Sequence, residues 1–305
     1  MRYFAEHLRT LGQVSLQIES DEKEGEAVLR PVPARLGSRV DQLELDRGLT
    51  VDLIKLPVAV EPVTLQIKPG YCRVKLHPSS STEPARKPSR FAPPTCKDGS
   101  ALIAANRAVQ WKPLPSEHWA ELMDVWHCHK PHEEASSEHG HESHQGLYEL
   151  AMNGFHAQPG LAYYSETYYL VDPSDLSASG LAAACSEKIW KWDLGEPVSA
   201  VVRHMLRELV DAHAVYTIVI NDKVAIWVLN TETKCSMSGR SMHGAMKVFW
   251  ADLTSEPHVL DQRPDPEAVV IPTEACDELY ETLTTVNSHL PQRLQAMNGW
   301  KLSII

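Results

Sequence analysis

The chain has 305 residues, 43% of them hydrophobic and 23% charged, with a formal net charge of -11. That length buries a large core and leaves room for two packed lobes, and the composition is that of a soluble globular protein. The acidic balance excludes sequence-independent binding to nucleic acid, which relies on Lys and Arg neutralising phosphates.

Residues 1–10 carry Arg2, Glu6 and Arg9 around no apolar core, so no signal peptide is expected. No apolar run reaches the length of about 18 residues that a membrane span needs. Nucleus and cytoplasm are therefore the expected compartments. Cys72, Cys96, Cys128, Cys185, Cys235 and Cys276 are scattered and form no disulfide framework.

From Val14 to Leu76 the sequence reads as short strands. Val14, Leu16 and Ile18 alternate with polar residues, as do Leu43 and Leu45, Val51 and Leu53, and Val63, Leu65 and Ile67. The expectation is a β-rich N-terminal lobe over residues 1–76, built as an antiparallel sheet or a sandwich. Residues 77–95 break the pattern with Pro78, Pro84, Pro88, Pro93 and Pro94 among serines and the basic Arg86, Lys87 and Arg90. This stretch reads as a linker or exposed loop.

Pro113 and Pro115 hold the chain extended up to Ser116, a good helix N-cap. Trp119, Leu122, Met123 and Trp126 then recur at helical spacing as an apolar stripe, which predicts core packing. Pro131 stops the helix, leaving His127, Cys128 and His129 at its C-terminal edge. Zinc accepts such ligands in tetrahedral sites, although adjacent helical residues diverge and at most two of the three point at one ion. The alternative is that Cys128 is a small buried hydrophobe. Residues 132–146 follow, with His132, His139, His141 and His144 among glutamates, and read as a solvated loop or a metal-binding tract.

Beyond residue 160 the pattern sharpens. Ala162–Val171 and Lys188–Leu194 read as strands, and Pro197 opens an amphipathic helix with Val198, Val201, Val202, Met205, Leu206 and Leu209 on one face. Val215–Ile220 and Val224–Leu229 flank Asn221-Asp222 as a hairpin, and Met246–Trp250 is a further strand. Thr273 begins a helix striped by Leu279, Leu283, Val286 and Leu290 and stopped by Pro291. Trp300–Ile305 reads as a strand docked in a sheet, or as the end of a chain cut short. Residues 96–305 thus form a mixed lobe of antiparallel strands with about three helices, and the fold class is α+β.

The fingerprints of common enzymes are missing from the sequence. There is no Gly-rich phosphate loop, no Gly-x-Ser-x-Gly elbow and no Cys-x-x-Cys pair, and His141-Glu-Ser-His144 falls one residue short of a zincin motif. Two weaker constellations remain besides a metal-dependent hydrolase at the His-rich tract. Cys96, Cys128, His129 and Cys185 are candidate ligands of a structural zinc, set against the reading of separate buried thiols. Cys235, in a polar segment beside Lys234 and near Arg240, is the candidate reactive thiol, set against an ordinary loop cysteine.

Pro113-Leu-Pro-Ser-Glu-His-Trp119 together with Trp126-His-Cys-His-Lys130-Pro131 resembles the signature of the HECT-like ubiquitin-conjugating-enzyme-binding family. Ile189-Trp-Lys-Trp-Asp-Leu194, Ala225-Ile-Trp-Val-Leu-Asn230, Met246-Lys-Val-Phe249, Leu290-Pro291 and Gly299-Trp-Lys-Leu-Ser303 resemble later family segments in the right order. The resemblance runs from about Cys96 to the C-terminus. The family's Cys-x-x-Cys-Gly before the helix is here Cys96-Lys-Asp-Gly99, with one cysteine lost, and its second Cys-x-x-Cys leaves Cys185 alone. Either Asp98 supplies an oxygen ligand instead, or the metal is gone and the packing is kept. The resemblance implies binding of a ubiquitin-conjugating enzyme and a role in the ubiquitin pathway. It also implies a link to pre-mRNA 3′-end cleavage and polyadenylation through that machinery's endonuclease subunit. A protein-interaction factor is the first expectation, and a cysteine-dependent HECT-type ubiquitin ligase is the alternative.

Overall fold

The computed structural model describes residues 1–20, 27–32, 40–46, 51–68, 70–79, 91–114, 155–183, 187–261, 263 and 266–305. The chain divides into two compact units, residues 1–87 with 209–305, and residues 88–208. The described residues are strand-rich, and the fold is α+β.

The first unit begins with β1 (Arg2–Leu8) and β2 (Gln13–Glu19), which pair antiparallel. Next come β3 (Ala27–Pro31), β4 (Val40–Asp46), β5 (Val51–Val60) and β6 (Leu65–Ile67), which make a four-stranded antiparallel sheet in the order β5-β4-β3-β6. β7 (Tyr71–Leu76) returns to pair with β2. The alternation read from the sequence decides the packing. Val14, Leu16 and Ile18 from β2, Val74 and Leu76 from β7, and Leu29, Leu43, Leu45 and Ile54 from the smaller sheet bury into one cluster. This is a sandwich core. Polar groups also link the two layers: the Tyr3 hydroxyl, which accepts from the Gly239 N–H of its own sheet (2.9 Å), also accepts from the backbone N–H of Lys55 (3.2 Å). The Ser241 hydroxyl donates to the Leu56 carbonyl at 3.1 Å.

The second unit contains β8 (Gln110–Pro113), β9 (Leu161–Tyr164), β10 (Tyr168–Leu170) and β11 (Lys188–Trp190), a sheet in the order β11-β10-β9-β8 whose β8–β9 pair is parallel. The single strand expected over 162–171 is two strands, because Ser165 turns the chain. Its hydroxyl accepts from the N–H groups of Thr167 (3.1 Å) and Tyr168 (3.0 Å). The strand expected over 188–194 ends at Trp190, and Lys191–Leu194 is a 3-10 turn closed by Gly195. α1 (Ala178–Ala183) packs closely: a Cβ built on Gly180 would lie 2.5 Å from the Leu102 carbonyl oxygen. α2 (Val198–His213) carries the expected stripe, with Val198, Val201, Val202 and Leu206 buried.

The chain then re-enters the first unit with β12 (Thr217–Ile220), β13 (Val224–Met237) and β14 (Arg240–Asp252). Asn221 and Asp222 both take positive φ (50° and 52°), the type I′ geometry whose twist suits a tight hairpin. Ser238 (48°) and Gly239 (74°) repeat it between β13 and β14. β15 (Glu267–Val269) pairs parallel with β12. α3 (Thr273–His289) buries Ala275, Cys276, Leu279 and Leu283 and is followed by the one-turn α4 (Gln292–Gln295). β16 (Ala296–Met297) and β17 (Trp300–Ile304) complete the sheet, and β17 docks on β14. The Asn287 amide fixes α3 to this end by donating to the carbonyls of Gln295 and Leu302, both at 2.7 Å.

One expectation needs correction here. Residues 1–76 do not close a lobe of their own. β1 lies between β2 and β13, with Phe4 opposite Met237 and Glu6 opposite Cys235. The N- and C-terminal thirds therefore share one nine-stranded sheet, and the expected mixed lobe over 96–305 is divided, its residues from 209 onward belonging with the N-terminal strands.

Candidate interaction site

The helix and its His127-Cys128-His129 ending, with Trp119, Trp126, Lys130 and Pro131, lie outside the described residues, as do the His-rich loop 132–146 and Cys185. Of the four expected zinc ligands, Cys96 alone is described.

Cys96 opens a tight turn. Its N–H donates to the Ser100 carbonyl (2.8 Å), and the Gly99 N–H donates back to the Cys96 carbonyl (2.9 Å). The thiol is buried among Leu102, Tyr169, Val171, Ile189 and Leu194. Asp98 organises the turn: Oδ1 accepts from the Ser100 N–H (2.9 Å) and hydroxyl (2.6 Å), and Oδ2 accepts from the Ser179 hydroxyl (2.9 Å). The Ser100 and Ser179 bonds hold its carboxyl below the ordinary aspartate range. Oδ1 thus serves the turn, and Oδ2 ties it to α1. Among the described residues, no three His, Cys, Asp or Glu side chains are grouped to hold a metal.

Cys235 is not on a loop. The segment Thr233–Met237 continues β13, so the polar Thr-Lys-Cys-Ser-Met sequence is strand alternation inside a wide sheet. The residue is 0% exposed, between Glu6 on β1 and Met242 on β14. Burial pushes its thiol up to about 12. Glu6 adds to the rise, and Lys247 opposes it. A group in that setting presents no thiolate near neutral pH.

What the described residues do assemble are two aromatic clusters. On the second unit's sheet, Tyr168 pairs with Trp190 across β10 and β11, and the Lys188 ammonium lies 3.8 Å from the Tyr168 ring and 4.1 Å from the Trp190 ring. Trp190 stacks on Trp192 at 4.6 Å. Period-two alternation in Lys188-Ile-Trp190 places the lysine and the indole on one face. That signal was available in the sequence, but the cation–π contact with Tyr168 was not. Nearby, burial, then Glu196 and Glu166, pushes the Tyr169 hydroxyl up to about 12. In the first unit Trp227, Phe249 and Trp300 come from β13, β14 and β17. Trp227 lies 5.5 Å from Phe249 and 6.0 Å from Trp300, and the Arg263 guanidinium lies 3.3 Å from the Trp227 ring centroid. Three segments far apart in sequence, each singled out by motif, therefore meet in one cluster.

The half-buried Tyr168, Lys188 and Trp190 group is suited to binding, because aromatic rings are among the side chains that dominate protein interfaces, whereas the Trp227 group, with Trp300 5% exposed, is mainly core. They contain no nucleophile–base pair. The family model for HECT-like ubiquitin-conjugating enzyme (E2)-binding proteins matches residues 6–191 and 186–302. The chain belongs to this HECT-like E2-binding family. The match begins inside β1, so the N-terminal strands, which carried no motif of their own, are part of the family's architecture. The chain is 21% identical over 248 residues to the uncharacterized protein YJR141W of Saccharomyces cerevisiae, covering 72% of this chain and 70% of the yeast protein. No solved structure matches the chain. For this HECT-like E2-binding protein, family membership supports a ubiquitin-conjugating-enzyme-binding role.

Proposed function

We propose that the protein is a docking factor that holds a ubiquitin-conjugating enzyme without itself taking ubiquitin onto a cysteine. The observation that carries this reading is the family match across both units, joined to the half-buried Tyr168, Lys188 and Trp190 group that offers binding chemistry. The thiols of Cys235 and Cys276 are pushed up by burial, which favours docking over thioester transfer. The wider role is a link to pre-mRNA 3′-end cleavage and polyadenylation through the endonuclease subunit, in nucleus and cytoplasm.

The test is to mix the purified protein with a panel of ubiquitin-charged conjugating enzymes. A stable complex is expected with at least one of them, with no thiol-sensitive ubiquitin adduct on this chain and no change in Cys235→Ala. An adduct that disappears in Cys128→Ala would replace docking with transfer, and failure to capture any conjugating enzyme would end the reading.

A structural zinc held by Cys96, Cys128, His129 and Cys185 belongs to the same proposal, supported by the tight Cys96–Gly99 turn. Elemental analysis is expected to find about one zinc per chain, lost in Cys96→Ser. A metal-free wild-type protein with an unchanged melting temperature in Cys96→Ser would reject it.

A further inference from the structure

The first unit carries a cleft of about 720 Å³ where three strand ends and a short helix meet. Arg2 opens β1 opposite Glu19 at the end of β2, and Glu19 in turn faces Tyr71 at the start of β7. Pro291 then brings Gln292 and Arg293 over this edge. Glu19 is engaged on two sides: Oε2 accepts the Gln292 N–H at 2.9 Å and lies 3.8 Å from the Arg2 guanidinium. Arg2 is about half exposed, at 49%. Arg293 lies over the Tyr71 ring at 5.0 Å and has no carboxylate within ion-pair distance among the described residues. Burial pushes the Tyr71 phenol up, so it stays neutral and adds no competing charge.

Among the described residues, the lining side chains bring two cations, Arg2 and Arg293, against one anion, Glu19. Two guanidinium groups on one concave wall attract anions. The guanidinium fork matches oxyanions two bonds at a time. The volume exceeds that of an inorganic ion and falls within the range of small-molecule sites, about 300–1,000 Å³. We propose that this cleft binds a small organic molecule bearing two oxyanion groups, one held by Arg2 and the other by Arg293. Glu19 sets the affinity by opposing the ligand's charge.

Calorimetric titration of the full chain at low salt, with the organic bisphosphate fructose 1,6-bisphosphate in one arm and citrate in the other, tests this and separates phosphate from carboxylate ligands. Saturable binding of at least one of them is expected, weakening as salt rises. Arg293→Gln is expected to weaken it about tenfold, and Glu19→Gln to tighten it roughly fivefold. Lys112→Gln, which removes a cation from the other unit, is expected to leave it unchanged. Absence of binding by both anions overturns the proposal. So does equal weakening by Arg293→Gln and Lys112→Gln, or weaker binding in Glu19→Gln.

Discussion

Lys247→Met is expected to destabilise the protein by about 3 kcal/mol. The Lys247 ammonium donates to Glu6 Oε2 at 2.6 Å, with side-chain exposures of 22% for the lysine and 7% for the glutamate. The other carboxylate oxygen has the Thr233 hydroxyl at 3.4 Å, a weak bond. Removing the lysine leaves a buried carboxylate whose remaining partner is too distant to compensate, and a stranded charge costs more than the pair contributes. Replacing both residues by apolar ones of similar volume, Glu6→Leu with Lys247→Met, is expected to restore most of the loss. Urea unfolding of the two single variants and the double variant measures the coupling. A single variant within about 0.5 kcal/mol of wild type would show that the pair is solvated and holds little.

Trp300→Ala is expected to be as damaging or more so, at about 3–5 kcal/mol. Trp300 is 5% exposed and packs with Ala225, Ala251, Val259 and the Trp227 ring. Three of those contacts lie on the strands β13 and β14, so the void opens between three strands of one sheet rather than at a margin that can collapse. Thermal unfolding gives the loss. Tryptophan fluorescence of the folded variant checks that Trp227 has gained solvent. A small change in stability with no spectral shift would mean that the site refills, and that the aromatic cluster does not organise this end of the sheet.

Local patterns in the sequence predicted local elements well. The alternation of Val14, Leu16 and Ile18, the Asn221-Asp222 turn and the Leu279, Leu283 stripe each reflect a rule that acts over a few residues, and each is present. What the sequence hid was long-range pairing. β1 reads as a charged segment without an apolar core because Arg2, Glu6 and Arg9 stand around the short run Tyr3, Phe4 and Ala5. Both faces of that strand are nevertheless buried, with Tyr3 and Ala5 in the sandwich core and Phe4 packed with Cys235, Leu302 and Ile304. The same blindness misplaced Cys235. A cysteine between Lys and Ser looks like a loop residue until strands on both sides cover it. The aromatic and lysine contacts of Tyr168 and Lys188 depend on which strands lie side by side, and no spacing in one chain encodes that. The family's helix-and-histidine signature lies outside the described residues, so for that part of the site the sequence remains the source of the expectation.

The insertion of β1 between β2 and β13 bears on how the molecule is made. Thr233 and Glu6 meet although they lie 227 positions apart. A ribosome releases the first strands long before their neighbour exists, and for that interval one flank of β1 offers open backbone groups to any passing chain. Closing so distant a pairing is slow. The unpaired edge is thus an aggregation liability until β13 is made, and chaperone depletion is expected to lower the soluble yield.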